Sequence, residues 1–181
     1  MLLRMGTDKD EKSILHILGV CSNEFVPPLS MRSSVFDPKV GEDTSVIDYY
    51  KEIQNQHMLL LEVGGEIVGL ISFSEQVSPS RDLEVNCSEN IYYISTSLIL
   101  PKYRGAGWGY YLNGAMVELS REMGKSLLRR TWSTNQRQIR LLESLGFVPV
   151  KRMPRINHIE SVYYFLKNVR VYETNLVRCL S

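Results

Sequence analysis

The chain has 181 residues, 44% of them hydrophobic and 23% charged, so it suits one soluble domain burying roughly 70% of its unfolded surface. Its 21 basic residues against 20 acidic ones leave a net charge of +1, which gives no global field for nucleic acid or an anionic membrane. Three scattered cysteines (Cys21, Cys87 and Cys179) and the absence of an apolar run near ~20 residues point to a reduced, cytoplasmic, soluble protein. The opening "MLLRMGTDKDEK" turns charged too early for a signal peptide.

In chain order, residues 2–5 are a short strand candidate. "TDKDEKSILHILGVC" follows with helix-start chemistry: Thr7 and Asp10 have capping-box spacing ahead of Ile14, Leu15, Leu18 and Cys21. "EFVPPLSMRSSVFDPKVGEDTS" carries three prolines and reads as a long connection. "VIDYYKEIQ" then places Val46, Tyr50 and Ile53 on one helical face. "HMLLLEVGGEIVGLISFSEQ" is a hairpin around Gly64-Gly65, and "ENIYYISTSLIL" is a third strand stopped by Pro101.

After the glycines of "PKYRGAGWGYYL", Leu112, Ala115, Met116, Leu119 and Met123 recur at helical spacing, with Gly124 as the stop. "SLLRRTWS" is strand-like. "STNQRQIRLLESLGF" is a helix with Ser133 and Gln136 at capping-box spacing and Gly146 at its end. Runs 148–153 and 159–166 form a closing strand pair, and residues 168–181 alternate enough for an added strand or a homodimer contact. The order β-α-α-β-β-β-α-β-α-β-β predicts an α/β (α+β) single domain over residues 1–167, with a mixed, mostly antiparallel central sheet flanked by helices.

The stretch "RGAGWG" falls between a strand and a helix. Helix-start N–H groups lack partners, glycines let a ligand approach, and the helix dipole favours negative charge by roughly 0.3–1 kcal/mol per charge. The P-loop and dinucleotide fingerprints both fail here. By itself the stretch fits a bare tight turn as well as an anion site.

"LILPKYRGAGWGYYL" resembles the acetyl-CoA motif R/Q-x-x-G-x-G/A of the GNAT superfamily of N-acetyltransferases, with Arg104, Gly107 and Gly109 on its defining positions. "STNQRQIRLLESLGF" is similar to the family's second cofactor segment through Asn135 and Leu145-Gly146-Phe147, and "GGEIVGLISF" to its second and third strands. The resemblance implies that Leu98, Ile99 and Leu100 pair with the pantetheine arm. It implies that the turn Arg104, Gly105, Ala106, Gly107, Trp108 and Gly109 holds the pyrophosphate, and that Asn135 meets the pantetheine or thiol end. The implied reaction is direct acetyl transfer from acetyl-CoA to a primary amine of a small molecule or peptide, with no metal. His16, His57 and His158 show no metal-ligand spacing.

Many relatives place a thiolate-protonating tyrosine where this chain has Leu142, a residue that shares a helical face with Ile139 and Leu145. A thiol of pKa about 8.5 leaves only ~1.5 units above neutral pH, so the missing acid is worth roughly 2 kcal/mol. Tyr163 and Tyr164 are acid candidates, Tyr93 is a further catalytic candidate, and Glu89 is the base candidate, through a water chain. Deprotonating a lysine at pH 7 costs roughly 4.6 kcal/mol against ~1 for an α-amine, which leans the acceptor toward a low-pKa amine. Phe25, Arg32 and Phe73 are candidate substrate contacts. The alternative reading is a catalytically weak or inactive acyl-CoA-binding regulatory module, for which Leu142 is the motive.

Overall fold

A computed structural model describes residues 1–25, 28–29, 46–75, 90–154 and 160–167. Arg32, Glu89, His158 and the 168–181 tail, all singled out above, lie outside these residues. The strands are β1 (Leu2–Met5), β2 (His57–Val63), β3 (Glu66–Ser74), β4 (Ile91–Ile99), β5 (Ser126–Trp132), β6 (Val148–Pro154) and β7 (Glu160–Leu166). The helices are α1 (Glu11–Cys21), α2 (Val46–Ile53), α3 (Trp108–Glu122) and α4 (Gln136–Ser144). Element order and the mixed, mostly antiparallel sheet agree with the sequence reading.

The seven strands run β1-β2-β3-β4-β5-β7-β6, and β4–β5 is the parallel pairing. Apolar residues cover both faces. One core joins the sheet to α3 and α4 through Leu112, Met116, Val117 and Leu142. The other joins it to α1 and α2 through Ile14, Leu18, Tyr49 and Ile53. Tyr49, not Tyr50, is the buried tyrosine of α2; its hydroxyl bonds Thr96 Oγ1 of β4 at 2.7 Å, an added anchor that helical periodicity cannot register. Gly69 on β3 sits at a close approach of β4. A Cβ there would lie 2.5 Å from Ile99 Cδ1 and 3.1 Å from the Leu98 carbonyl.

At the first helix start the expected box forms: Asp10 Oδ2 accepts from the Thr7 N–H at 2.8 Å. Arg4 from β1 adds two further bonds to Asp10, at 2.8 and 2.7 Å. These Arg4 hydrogen bonds, with those from Thr7, outweigh desolvation and hold Asp10 well below the usual carboxylate range. A folded-state value below the unfolded one places this stabilisation above about pH 4 and removes it as pH falls from there. We therefore expect Asp10→Asn to lose about 2 kcal/mol near pH 7 and to flatten the acid limb of a urea-stability profile. An acid limb equally steep in both proteins would contradict that assignment.

At α4 the box expected on Ser133 and Gln136 does not form. Asn135 is the N-cap, accepting from the Gln138 N–H at 3.1 Å, while Gln136 Nε2 donates to the Ser133 carbonyl at 2.8 Å. Asparagine caps as well as serine does, so two candidates two residues apart compete and the chain direction out of β5 decides between them. Among the described residues, no helix is long and apolar enough to cross a membrane.

Candidate active site

The site begins with an irregularity in β4. Its register against β3 shifts between Ser72 and Phe73, so that Ile94 faces Phe73, Thr96 faces Ser72, and Ser95 is the extra residue. A bulge of this kind reverses the alternation of faces. Before it, Tyr92 and Ile94 join the α3/α4 core; beyond it Thr96 and Leu98 turn toward α1 and α2, and Ser97 and Ile99 toward α3.

The bulge also ends the pairing with β5, which covers only Ile91–Ile94 against Ser126–Arg129. Past that point the two strands diverge. A cleft of about 250 Å³ opens between them, lined by the strand residues Ser95–Ile99 and Arg129–Trp132. Phe25 and Arg104 border it, as do Gly109 and Asn113 of α3 and Asn135, Gln138 and Leu141 of the α4 segment.

The glycine turn closes the outer end. Gly105 and Gly107 have φ of 87° and 84°, a region that costs other L-residues roughly 1–2 kcal/mol, and Gly107 caps α3. A Cβ at Gly105 or Gly107 would meet nothing within 4 Å, and one at Gly109 only Ile99 Cγ1 at 3.9 Å. The space above these amides is open. Arg104 is tied down beneath the turn: Nε donates to the Ile99 carbonyl at 2.8 Å, and its guanidinium pairs with Glu24 at 2.7 Å. Its side chain therefore braces the turn against the end of α1.

Among the residues that line the cleft, some buried polar atoms are left without partners. Six buried side-chain N or O atoms have no hydrogen-bond partner among the described residues, and three of them, Ser95 Oγ, Arg129 Nε and Gln138 Nε2, belong to cleft residues. Arg129 is 5% exposed. Its Nη1 donates to Asn113 Oδ1 at 2.9 Å, and Asn113 Nδ2 donates in turn to the Gly109 carbonyl at 2.8 Å and to Ser97 Oγ at 3.2 Å. Desolvation brings the guanidinium down to about 10, so it stays cationic at neutral pH.

Of the cofactor contacts implied by resemblance, Leu98, Ile99, Arg104, Gly109 and Asn135 line the cleft. Leu100 is buried in the α1/α2 core and gives its N–H to the Val68 carbonyl. Gly105 and Ala106 are exposed at the turn, Gly107 caps the helix, and Trp108 stands edge-on to Tyr111 at 6.3 Å. Phe25 lines the cleft and packs edge-on against Tyr49 at 5.0 Å. Phe73 does not line it: 2% exposed, it lies in the core beside Tyr92 and His57.

Tyr93, Tyr163 and Tyr164 are buried and lie outside the cleft lining. Burial pushes Tyr93 up to about 12, so its phenol keeps its proton at neutral pH. Leu142 is fully buried in the α3/α4 core while Leu141 faces the cleft. Arg129, Asn113 and Gln138 were passed over in the sequence. Arg129 had a legible signal, since two arginines inside "SLLRRTW" interrupt an apolar strand and at least one must face the interior.

The fold has many counterparts among solved structures. The Salmonella typhimurium protein yncA, solved with its cofactor acetyl-CoA, superposes with a TM-score of 0.69 at 19% identity, covering 93% of this chain and 94% of its own. A ribosomal-protein-alanine N-acetyltransferase from Brucella melitensis gives 0.66 at 18% identity over 91% and 98%. The ribosomal-protein-S18-alanine N-acetyltransferase of Escherichia coli gives 0.62 at 14% over 96% and 98%. No curated protein sequence matches this chain. The family model for the acetyltransferase (GNAT) family matches residues 28–147, from before α2 to the end of the α4 segment, and the chain belongs to that family.

Proposed function

We propose that this protein is an acetyl-CoA-dependent N-acyltransferase moving an acetyl group to a primary amine of a small molecule or peptide by direct attack. The observation that carries the reading is the splay of β4 from β5, which runs from an orphaned polar interior out to a glycine-rich helix start. The amides of residues 104–109 would hold the pyrophosphate. The β4 edge from Ser95 to Ile99, unpaired on the β5 side, offers backbone groups to the pantetheine arm, as an added strand would use them. Bound acetyl-CoA supplies an activated thioester. The chain's own residues align it, hold its phosphates and dry the inner end.

Belonging to an acetyltransferase family, and sharing a fold with a protein solved with acetyl-CoA, support the donor. Two neighbours are named for alanine N-acetylation, which places a peptide α-amine in the acceptor panel. A second reading, a CoA-binding module without turnover, is favoured by one observation: the position of the family's tyrosine is a core leucine. Thiol release from acetyl-CoA, followed across polyamine, amino-acid, aminoglycoside and peptide amines, separates the two. We expect at least one amine to release thiol stoichiometrically with its acetylation. Binding of CoA with no turnover on the panel would favour the module.

A further inference from the structure

A buried cation needs an anion, and Arg129 has none: among the described residues no carboxylate pairs with it. Its position is specific. Arg129 is the last β5 residue paired with β4, so it stands where the cleft closes, with Ser95 as the bulged residue beside its partner Ile94. Arg129 Nε and Ser95 Oγ are both buried, unpartnered and part of residues lining that end. The bond from Nη1 to Asn113, itself held by the first turn of α3, fixes the guanidinium on the α3 side of the sheet.

From this vertex β4 runs about 13 Å from Ser95 to Ile99, and the glycine turn begins shortly beyond. A ligand with its phosphates at that turn and its arm along the β4 edge brings its other end, the thioester, to Arg129. We infer that Arg129, assisted by the Ser95 hydroxyl, receives the negative charge that develops on the departing CoA sulfur. This rests on the acyltransferase reading above and answers its open point, because a fixed cation does by charge what the absent tyrosine would do by proton transfer.

The step balances without another reagent. The amine lone pair forms the N–C bond to the acetyl carbon, and the C–S bond breaks with its electron pair going to sulfur. The proton lost by the amine goes to water. The thiolate is held by Arg129 until CoA leaves or is protonated by solvent. Desolvation and preorganised donors make such contacts stronger than in water. Other ionisable groups lining or facing the cleft do not supply the charge at its closed end: Arg104 is paired with Glu24 beneath the outer turn, and Arg137 on α4 is exposed. Tyr93 on β4 is neutral at this pH, Tyr164 faces Arg129 from β7 as a phenol, and Arg130 lies over Trp132 at 5.9 Å.

The test is the ionisation of the CoA thiol while bound, read from thiolate absorbance in the ultraviolet as pH is raised. On the wild-type protein the thiol should titrate at least about one unit below its ordinary value near 8.5. On Arg129→Met it should return to that value or above, with Arg129→Lys between. With acetyl-CoA, kcat of Arg129→Met should fall about 100-fold with KM little changed, and an aryl thioester with a more acidic thiol should recover most of that loss. A wild-type bound thiol that titrates like free CoA overturns the inference whether or not the variants fold. So does a lowered value that Arg129→Met retains. Failure of the wild type to bind CoA at all would instead remove the acyltransferase reading.

Discussion

Gly109→Glu is expected to weaken acetyl-CoA binding at least about 100-fold, roughly 2.7 kcal/mol, without lowering the melting temperature. The two effects separate because of where Gly109 stands. It is the second residue of α3 and lacks the positive φ of Gly105 and Gly107, so a side chain there strains nothing. A Cβ would touch only Ile99 Cγ1, at 3.9 Å. A carboxylate near a helix start even favours the helix, by roughly 0.3–1 kcal/mol. The same carboxylate would occupy the space above the turn amides and repel phosphates at a helix end that attracts them. Gly109→Ala is the size control, and its binding should fall only slightly. A bare turn with no anion role would leave Gly109→Glu binding as tightly as wild type.

Leu142→Ala is expected to cost about 3 kcal/mol of stability and to lower the melting temperature by about 10 °C. Leu142 is fully buried among α3, α4 and sheet residues, and its carbonyl accepts from the Leu145 and Phe147 N–H groups that close α4. Truncation leaves a cavity that close-packed neighbours fill poorly. The cleft is lined on this helix by Arg137, Gln138 and Leu141, so KM for acetyl-CoA should stay near wild type in the folded protein. Chemical denaturation with paired kinetics checks both halves. A loss below about 1 kcal/mol, or a large rise in KM, would mean that Leu142 serves the cleft and not the core.

These two residues also mark what the sequence made legible. Glycine spacing and apolar periodicity are local properties, and they located the hairpin, the α3 start and the buried face of α4. The bulge at Ser95 is different: one extra residue in β4 reverses which side chains face α3, and nothing in "YYISTSLIL" marks where a partner strand skips. The cap of α4 moved from Ser133 to Asn135 because two capping residues lie close together and tertiary direction chose between them. Arg129 was visible as an arginine but not as the last β5 residue paired with β4, since where that pairing ends depends on the bulge in β4. The catalytic candidates Tyr93, Tyr163 and Tyr164 are buried by the sheet and lie outside the cleft lining, because a tyrosine in an apolar strand carries no mark that tells a core position from a cleft one.

On the proposed function, the gap between β4 and β5, with the glycine turn at its mouth, binds acetyl-CoA. Calorimetric titration of acetyl-CoA into the wild-type protein and into Gly109→Glu tests it most directly. The wild type should show saturable one-site binding in the micromolar range, and the variant no measurable heat at the same concentrations. No heat from the wild type, or equal affinity in the two proteins, would contradict it.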